Sequence, residues 1–130
     1  MIEAYFEDML QQLLISPAIF VFKVLREIIS EEDGYIRVKC YLLNGDVLEF
    51  SEYVQTHTNR IHLIAYSYHW QASDGGLVKR WDNVPHHKEF DSFPHHLHLP
   101  HGEVRSSAAI NFRKVILDIE EAMAIPENGY

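Results

Sequence analysis

The chain has 130 residues, 47% hydrophobic and 23% charged, the make-up expected of one folded domain over residues 1–130 rather than several independent cores. A formal charge of −8 argues against loose attraction to nucleic acid. A single cysteine, Cys40, excludes an internal disulfide and a multi-cysteine zinc module.

Residues 2–14 read as a short amphipathic helix whose acidic start lacks the basic entry of a secretory signal. No apolar run reaches the length of a membrane span, so a cytoplasmic location without membrane insertion is expected. Ser16-Pro17 has the form of an N-cap and first-turn proline, and Ile19, Phe22, Leu25 and Ile29 recur at three- and four-residue spacing. A second helix is therefore predicted to about Ser30.

After Glu31-Glu32-Asp33-Gly34 the period changes to two, and Ile36, Val38, Cys40 and Leu42 share one face of a half-buried strand. Asn44-Gly45 marks a hairpin. A two-residue loop would set Cys40 beside Glu49 and split the apolar faces. A three-residue loop over Leu43, Asn44 and Gly45, with Gly45 left-handed, pairs Cys40 with Leu48, Val38 with Phe50 and Lys39 with Glu49. That register sets Glu52 across from Ile36, as either a strand-end carboxylate reaching water or a functional acid.

A third strand over 60–71 and a fourth over 77–83 are joined by Ser73-Asp74-Gly75-Gly76. Setting Ala72 opposite Leu77 places His69 opposite Arg80 and Ser67 opposite Asp82 on a polar face. Tyr68 then faces Trp81, and Trp70 faces Lys79, on the other side. From Val84 to Gly102 the sequence reads as a long histidine-rich loop anchored by Phe90, Phe93 and Leu97, either a functional cover or a region holding short elements. Ser106 or Ser107 is expected to cap a last helix, ended by Pro126, whose Phe112, Val115, Ile116, Ile119 and Met123 point inward. The expected fold is α+β: N-terminal helices, a four-stranded antiparallel meander, a His-rich loop and a C-terminal helix.

Six of the nine histidines follow Asp82, and protonating all nine would bring the net charge near zero, so ligand affinity is expected to vary with pH near the imidazole pKa. Metal-free RNA cleavage needs a base for the 2′-hydroxyl, an acid for the leaving oxygen and a positive clamp on the phosphate. Arg80 suits the clamp, His69 and a loop histidine, His86 or His96, the proton-transfer pair, and Asp82 the group that orients an imidazole. The structural alternative makes Arg80 and Asp82 a surface ion network and Asp82-Asn83 part of a turn. His96 and His98 face one way if extended and could hold a divalent metal with Asp82, Glu89 or Asp91, although no HExxH or cysteine spacing supports it. Tyr66, Tyr68, Trp70 and Trp81 suit base stacking but alternate as packing residues do, and Arg37, Lys39 and Lys79 form no basic run.

The segment YSYHWQASDGGLVKRWDNVPHHKEFDSFPHHLH, Tyr66 to His98, resembles the TumE family of toxin-antitoxin proteins, and the likeness extends more weakly from Pro17 through YIRVKCYLLNGDVLEFSEYV to the last helix. The resemblance implies a cytoplasmic toxin with a separately encoded antitoxin as partner. Matching positions are His69 in YHW, Arg80 and Asp82-Asn83 in RWDN, His86-His87 in PHH, and His95-His96 with His98 in FPHHLH. The helical entry and meander also resemble RelE-like and barnase-like ribonucleases at the level of fold. Three readings stay open: an endoribonuclease acting on free or ribosome-associated RNA, with no cofactor; a metal-dependent nuclease or nucleotide-transfer enzyme; and a non-enzymatic domain for antitoxin binding or homo-oligomer formation.

Overall fold

A computed structural model of the chain describes residues 1–83 and 94–124. It is α+β, with two helices on one face of a seven-stranded antiparallel sheet whose strands follow chain order. The elements are α1 (Ile2–Ile15), β1 (Ile19–Ile29), β2 (Asp33–Leu42), β3 (Val47–His57), β4 (Arg60–Gln71), β5 (Leu77–Asp82), β6 (His96–His98), β7 (Val104–Ser106) and α2 (Phe112–Met123). Neither helix is long and apolar enough to cross a membrane.

The expected four-stranded meander is an undercount, and the second N-terminal helix is strand β1. Two β-bulges, between Ile19 and Val21 and between Val24 and Arg26, each add a residue to the alternation. The extra residues stretch a period of two toward the three- and four-residue spacing of a helix. Ser16-Pro17 ends α1 instead of opening a helix: the Ser16 amide bonds the Gln12 carbonyl, and its hydroxyl donates to Glu120 Oε2 at 2.7 Å. The strands β6 and β7, three residues each, lie in the stretch expected to run from the loop to the cap of the last helix. The last helix is capped by Asn111, whose side chain accepts from the Lys114 amide at 3.0 Å, not by Ser106 or Ser107.

The hairpin register is as the hydrophobic pattern requires. Cys40 faces Leu48, Val38 faces Phe50, Lys39 faces Glu49, and Gly45 has φ +91° in the loop, where a β-carbon would be strained. Between β4 and β5, Ser67 faces Asp82, Tyr68 faces Trp81, His69 faces Arg80 and Trp70 faces Lys79. A bulge after Trp70 sets Gln71, rather than Ala72, opposite Leu77.

The core lies between helices and sheet. Ile2, Phe6, Met9 and Leu13 of α1 and Phe112, Val115, Ile116 and Ile119 of α2 pack on Ile36, Val38, Leu48, Phe50, Tyr68 and Trp81. Gly34 lets α1 approach β2, because a β-carbon there would stand 2.6 Å from Ile2 Cγ2. Each large apolar side chain buried this way contributes about 1.5–3 kcal/mol. Glu52 lies within this layer, fully buried and taking hydrogen bonds from the Tyr5 and Tyr68 hydroxyls, both at 2.6 Å. It does not reach water. Burial raises its pKa against the lowering effect of the two hydroxyls, so it is a core acid with neutral partners. Burial likewise pushes the Cys40 thiol up to about 12, which leaves little thiolate for chemistry.

Candidate functional site

With both helices on one face, the other face of the sheet is polar. Alternation and register assemble two rows across five strands: Lys39, Glu49, His69, Arg80 and His98 in one, and Arg37, Ser51, Ser67, Asp82 and His96 beside it. The imidazole of His69 and the guanidinium of Arg80 thus share an accessible side. A depression of about 250 Å³ between the rows is lined by Arg37, Glu49, Ser51, Ser67, His69 and Arg80, with the Phe50 backbone region beneath. A larger cavity by the Glu31–Asp33 turn lies away from the histidine and arginine rows.

At one end of the rows stands Asp82, 2% exposed. Its Oδ1 is 2.5 Å from His96 Nε2 and its Oδ2 is 3.1 Å from both His98 Nε2 and Arg80 Nε. The pairing of β5 with β6 creates this convergence: Asp82 sits opposite His96 while Arg80 sits opposite His98. His96 is also 2% exposed, and its Nδ1 contacts the Pro94 carbonyl at 3.0 Å. A carbonyl only accepts, so Nδ1 carries a hydrogen, and the 2.5 Å contact at Nε2 is a short hydrogen bond with a proton between nitrogen and carboxylate oxygen. Arg80 Nε is close to the Asp82 carboxylate but its N–H is not aimed at it; the atom is buried and has no hydrogen-bond acceptor among the described residues. A donor held in this way suits an incoming anion.

His69 is partly buried, and burial first, then the neighbouring Arg80 charge, lowers its pKa against the raising effect of Glu49. It is therefore mainly neutral at pH 7 and able to accept a proton. His98 is lowered chiefly by burial, with His96 and Arg80 adding to this and Asp82 opposing it. Asp82, His96 and His98 offer ligand atoms that all lie within 4.8 Å of one another, a set that could hold a metal ion. The Nδ1–H to carbonyl bond of His96 is the orientation a metal-ligating imidazole adopts, whereas the Arg80 charge against the same carboxylate works against a dication.

Other sequence candidates separate from this face. His95 turns to the opposite side, stacking on Tyr66 and sharing a 2.7 Å hydrogen bond with its hydroxyl, as adjacent strand residues must diverge. Lys79 is on the helix face, 2.9 Å from Asp118 Oδ2, so it cannot join Arg37 and Lys39. Tyr66, Tyr68, Trp70 and Trp81 are buried packing residues. His57 and His62 pair with one another at the far end of the sheet, and His101 lies in the turn Pro100–Gly102. His86, His87, Glu89, Phe90, Asp91, Phe93 and Pro126 lie outside the described residues. Sequence reasoning missed Lys23 and Arg26, which fall in the stretch expected as a second helix; β1 sets Lys23 opposite Lys39 and Arg26 opposite Arg37. The apolar alternation of FVFKV and the β-branched residues around it were the available signal.

No curated protein and no solved structure matches the chain. The family model for toxin TumE matches residues 6–128 and so takes in most of α1, all of α2 and the seven described strands. Toxins of this kind are paired with an antitoxin, which is the partner that membership implies. The chain belongs to the TumE toxin family.

Proposed function

We propose that this toxin is an endoribonuclease that cleaves RNA phosphodiesters by internal transesterification. The observation that carries the reading is His69 directly opposite Arg80 on the open face, with the buried Asp82 bracing Arg80 and His98 beside them. His69, neutral near pH 7, removes the proton of a 2′-hydroxyl, and the 2′-oxygen attacks the adjoining phosphorus. The bond to the 5′-oxygen breaks, a 2′,3′-cyclic phosphate forms, and the departing oxygen takes a proton from a second imidazole. Arg80 stabilises the charge that builds on the non-bridging oxygens. His98, half-buried and opposite Arg80, is the described imidazole best placed for the second role, which it fills from its minor protonated form because burial lowers its pKa; His96, held between Asp82 and Pro94, positions the carboxylate. His86 is tested for that second role by His86→Ala.

The experiment is to incubate the purified chain with end-labelled RNA in EDTA and to identify the new ends. Cleavage leaving 2′,3′-cyclic phosphates, with a base limb below the ordinary imidazole value of 6.5, is expected. Intact RNA, together with toxicity that survives His69→Ala and Arg80→Ala, favours a domain that acts only by binding.

The Asp82, His96 and His98 cluster supports a second reading, metal-dependent phosphodiester cleavage or nucleotide transfer. In it these three residues would hold a divalent ion, which would supply Lewis-acid chemistry toward the phosphate. Titration with zinc and manganese, followed by activity after chelation and after return of the ion, separates it from the first.

A further inference from the structure

The two rows continue past the candidate site onto the edge of the sheet. On the same open face β1 contributes Lys23 and Arg26, exposed and directly opposite Lys39 and Arg37. Like charges directly opposite across a strand pair repel, so the fold carries two such pairs side by side at a cost to itself. Glu49 answers only Arg37, through its guanidinium. Tyr41 stands between the lysines, its ring centroid 5.9 Å from Lys23 Nζ and 5.6 Å from Lys39 Nζ. Tyr35 and Tyr53, opposite one another, continue the face past Arg37 and line a second depression of about 370 Å³ that shares Ser51 and Ser67 with the first.

The formal charge of −8 is distributed unevenly. Glu3, Glu7 and Asp8 lie on α1, and Asp118, Glu120 and Glu121 on α2, in the layer behind the sheet. The open face therefore carries cations and tyrosine rings with Asp33, Glu49 and Asp82 among them, while the acids of both helices lie behind the sheet. Cations spaced along a surface suit a polyanion, and aromatic rings among them suit unpaired bases, which offer a π-face that duplex bases hide.

We infer that the open face from Lys23, Arg26, Lys39 and Tyr41 through Arg37 to Arg80 is a binding track for single-stranded RNA, leading the strand to the His69–Arg80 pair. The inference rests on the nuclease reading for its destination, but Lys23, Arg26 and Lys39, which its test varies, are separate from that pair. The unfavourable lysine and arginine pairs are then relieved by phosphates of the bound strand.

The test is fluorescence anisotropy of the full chain with a short fluorescein-labelled 2′-O-methyl oligoribonucleotide, which lacks the attacking hydroxyl, over a range of salt. Its duplex form is run in parallel. The triple variant Lys23→Gln, Arg26→Gln, Lys39→Gln is expected to bind the single strand about tenfold or more weakly and to lower the salt slope by roughly 2. Its melting temperature is expected to stay the same or rise, since repulsion is removed. Exchanging Lys23→Arg and Arg26→Lys is expected to keep affinity. Equal affinity and salt slope in the triple variant overturns the track, as does failure of the wild type to bind or equal binding of the duplex. Wild-type binding with no cleavage of the matching 2′-hydroxyl strand overturns the nuclease reading alone and leaves the track supported.

Discussion

Glu52 and Asp82 are both almost wholly buried carboxylates on strands of one sheet, yet they sit on opposite faces and in opposite company. Glu52 is enclosed by helices and bonded to two tyrosine hydroxyls, which are neutral donors. Asp82 faces two imidazoles and a guanidinium, all able to carry positive charge. Burial by itself disfavours a carboxylate; what surrounds it decides whether it serves packing or organises a site. Both Glu52 oxygens accept a hydrogen bond, whereas beside Asp82 the Arg80 Nε has no acceptor among the described residues.

Removing each acid tests this contrast. Asp82→Ala strips a buried ion cluster of its anion and is expected to lower stability by about 3–5 kcal/mol. On the nuclease reading it also lowers cleavage by about 10²–10⁴-fold, measured by melting and by initial rates on RNA. Glu52→Ala leaves the Tyr5 and Tyr68 hydroxyls without their acceptor and is expected to cost about 2–4 kcal/mol in chemical denaturation. Its surviving folded fraction should cleave at the wild-type rate, because Glu52 lies behind the sheet.

A smaller effect follows from the raised pKa of Glu52. Its folded pKa exceeds the unfolded value, so the native state holds the proton more tightly, and stability falls as pH rises from about 4.5 through the raised value. Glu52→Gln removes that slope, so denaturation midpoints of wild type and variant are expected to diverge with increasing pH, with the variant the more stable at the upper end. The smallest effect belongs to the helix layer: Asn111→Ala loses the bond to the Lys114 amide and should cost about 1 kcal/mol without changing cleavage per folded molecule.

Where side-chain alternation was uninterrupted the fold could be read. The three-residue turn at Leu43, Asn44 and Gly45 followed from refusing a register that split the apolar faces; the pairing of His69 with Arg80 followed from setting Ala72 opposite Leu77, and the bulge after Trp70 moves that anchor to Gln71 but keeps the pair. Alternation failed at β1, where bulges near Phe20 and Leu25 imitate helical spacing and remove Lys23 and Arg26 from view. It also failed at β6 and β7, too short at three residues to show a period. The grouping of Asp82 with His96 and His98 had been legible only as one metal option, because the pairing that joins β5 to β6 links residues across a histidine-rich stretch with no periodic signal. The face of Lys79 was predicted, since it stands opposite Trp70, but only the packing of α2 supplied its partner Asp118.

Single-turnover cleavage of end-labelled RNA by the wild type, His69→Ala and Arg80→Ala, each checked for folding and run in EDTA, tests the central claim most directly. The account predicts cutting by the wild type, a loss of about 10²–10⁴-fold in each variant, and no reaction at a 2′-deoxy position. Folded variants that cut as fast as the wild type, or a wild type that leaves RNA whole, would contradict it.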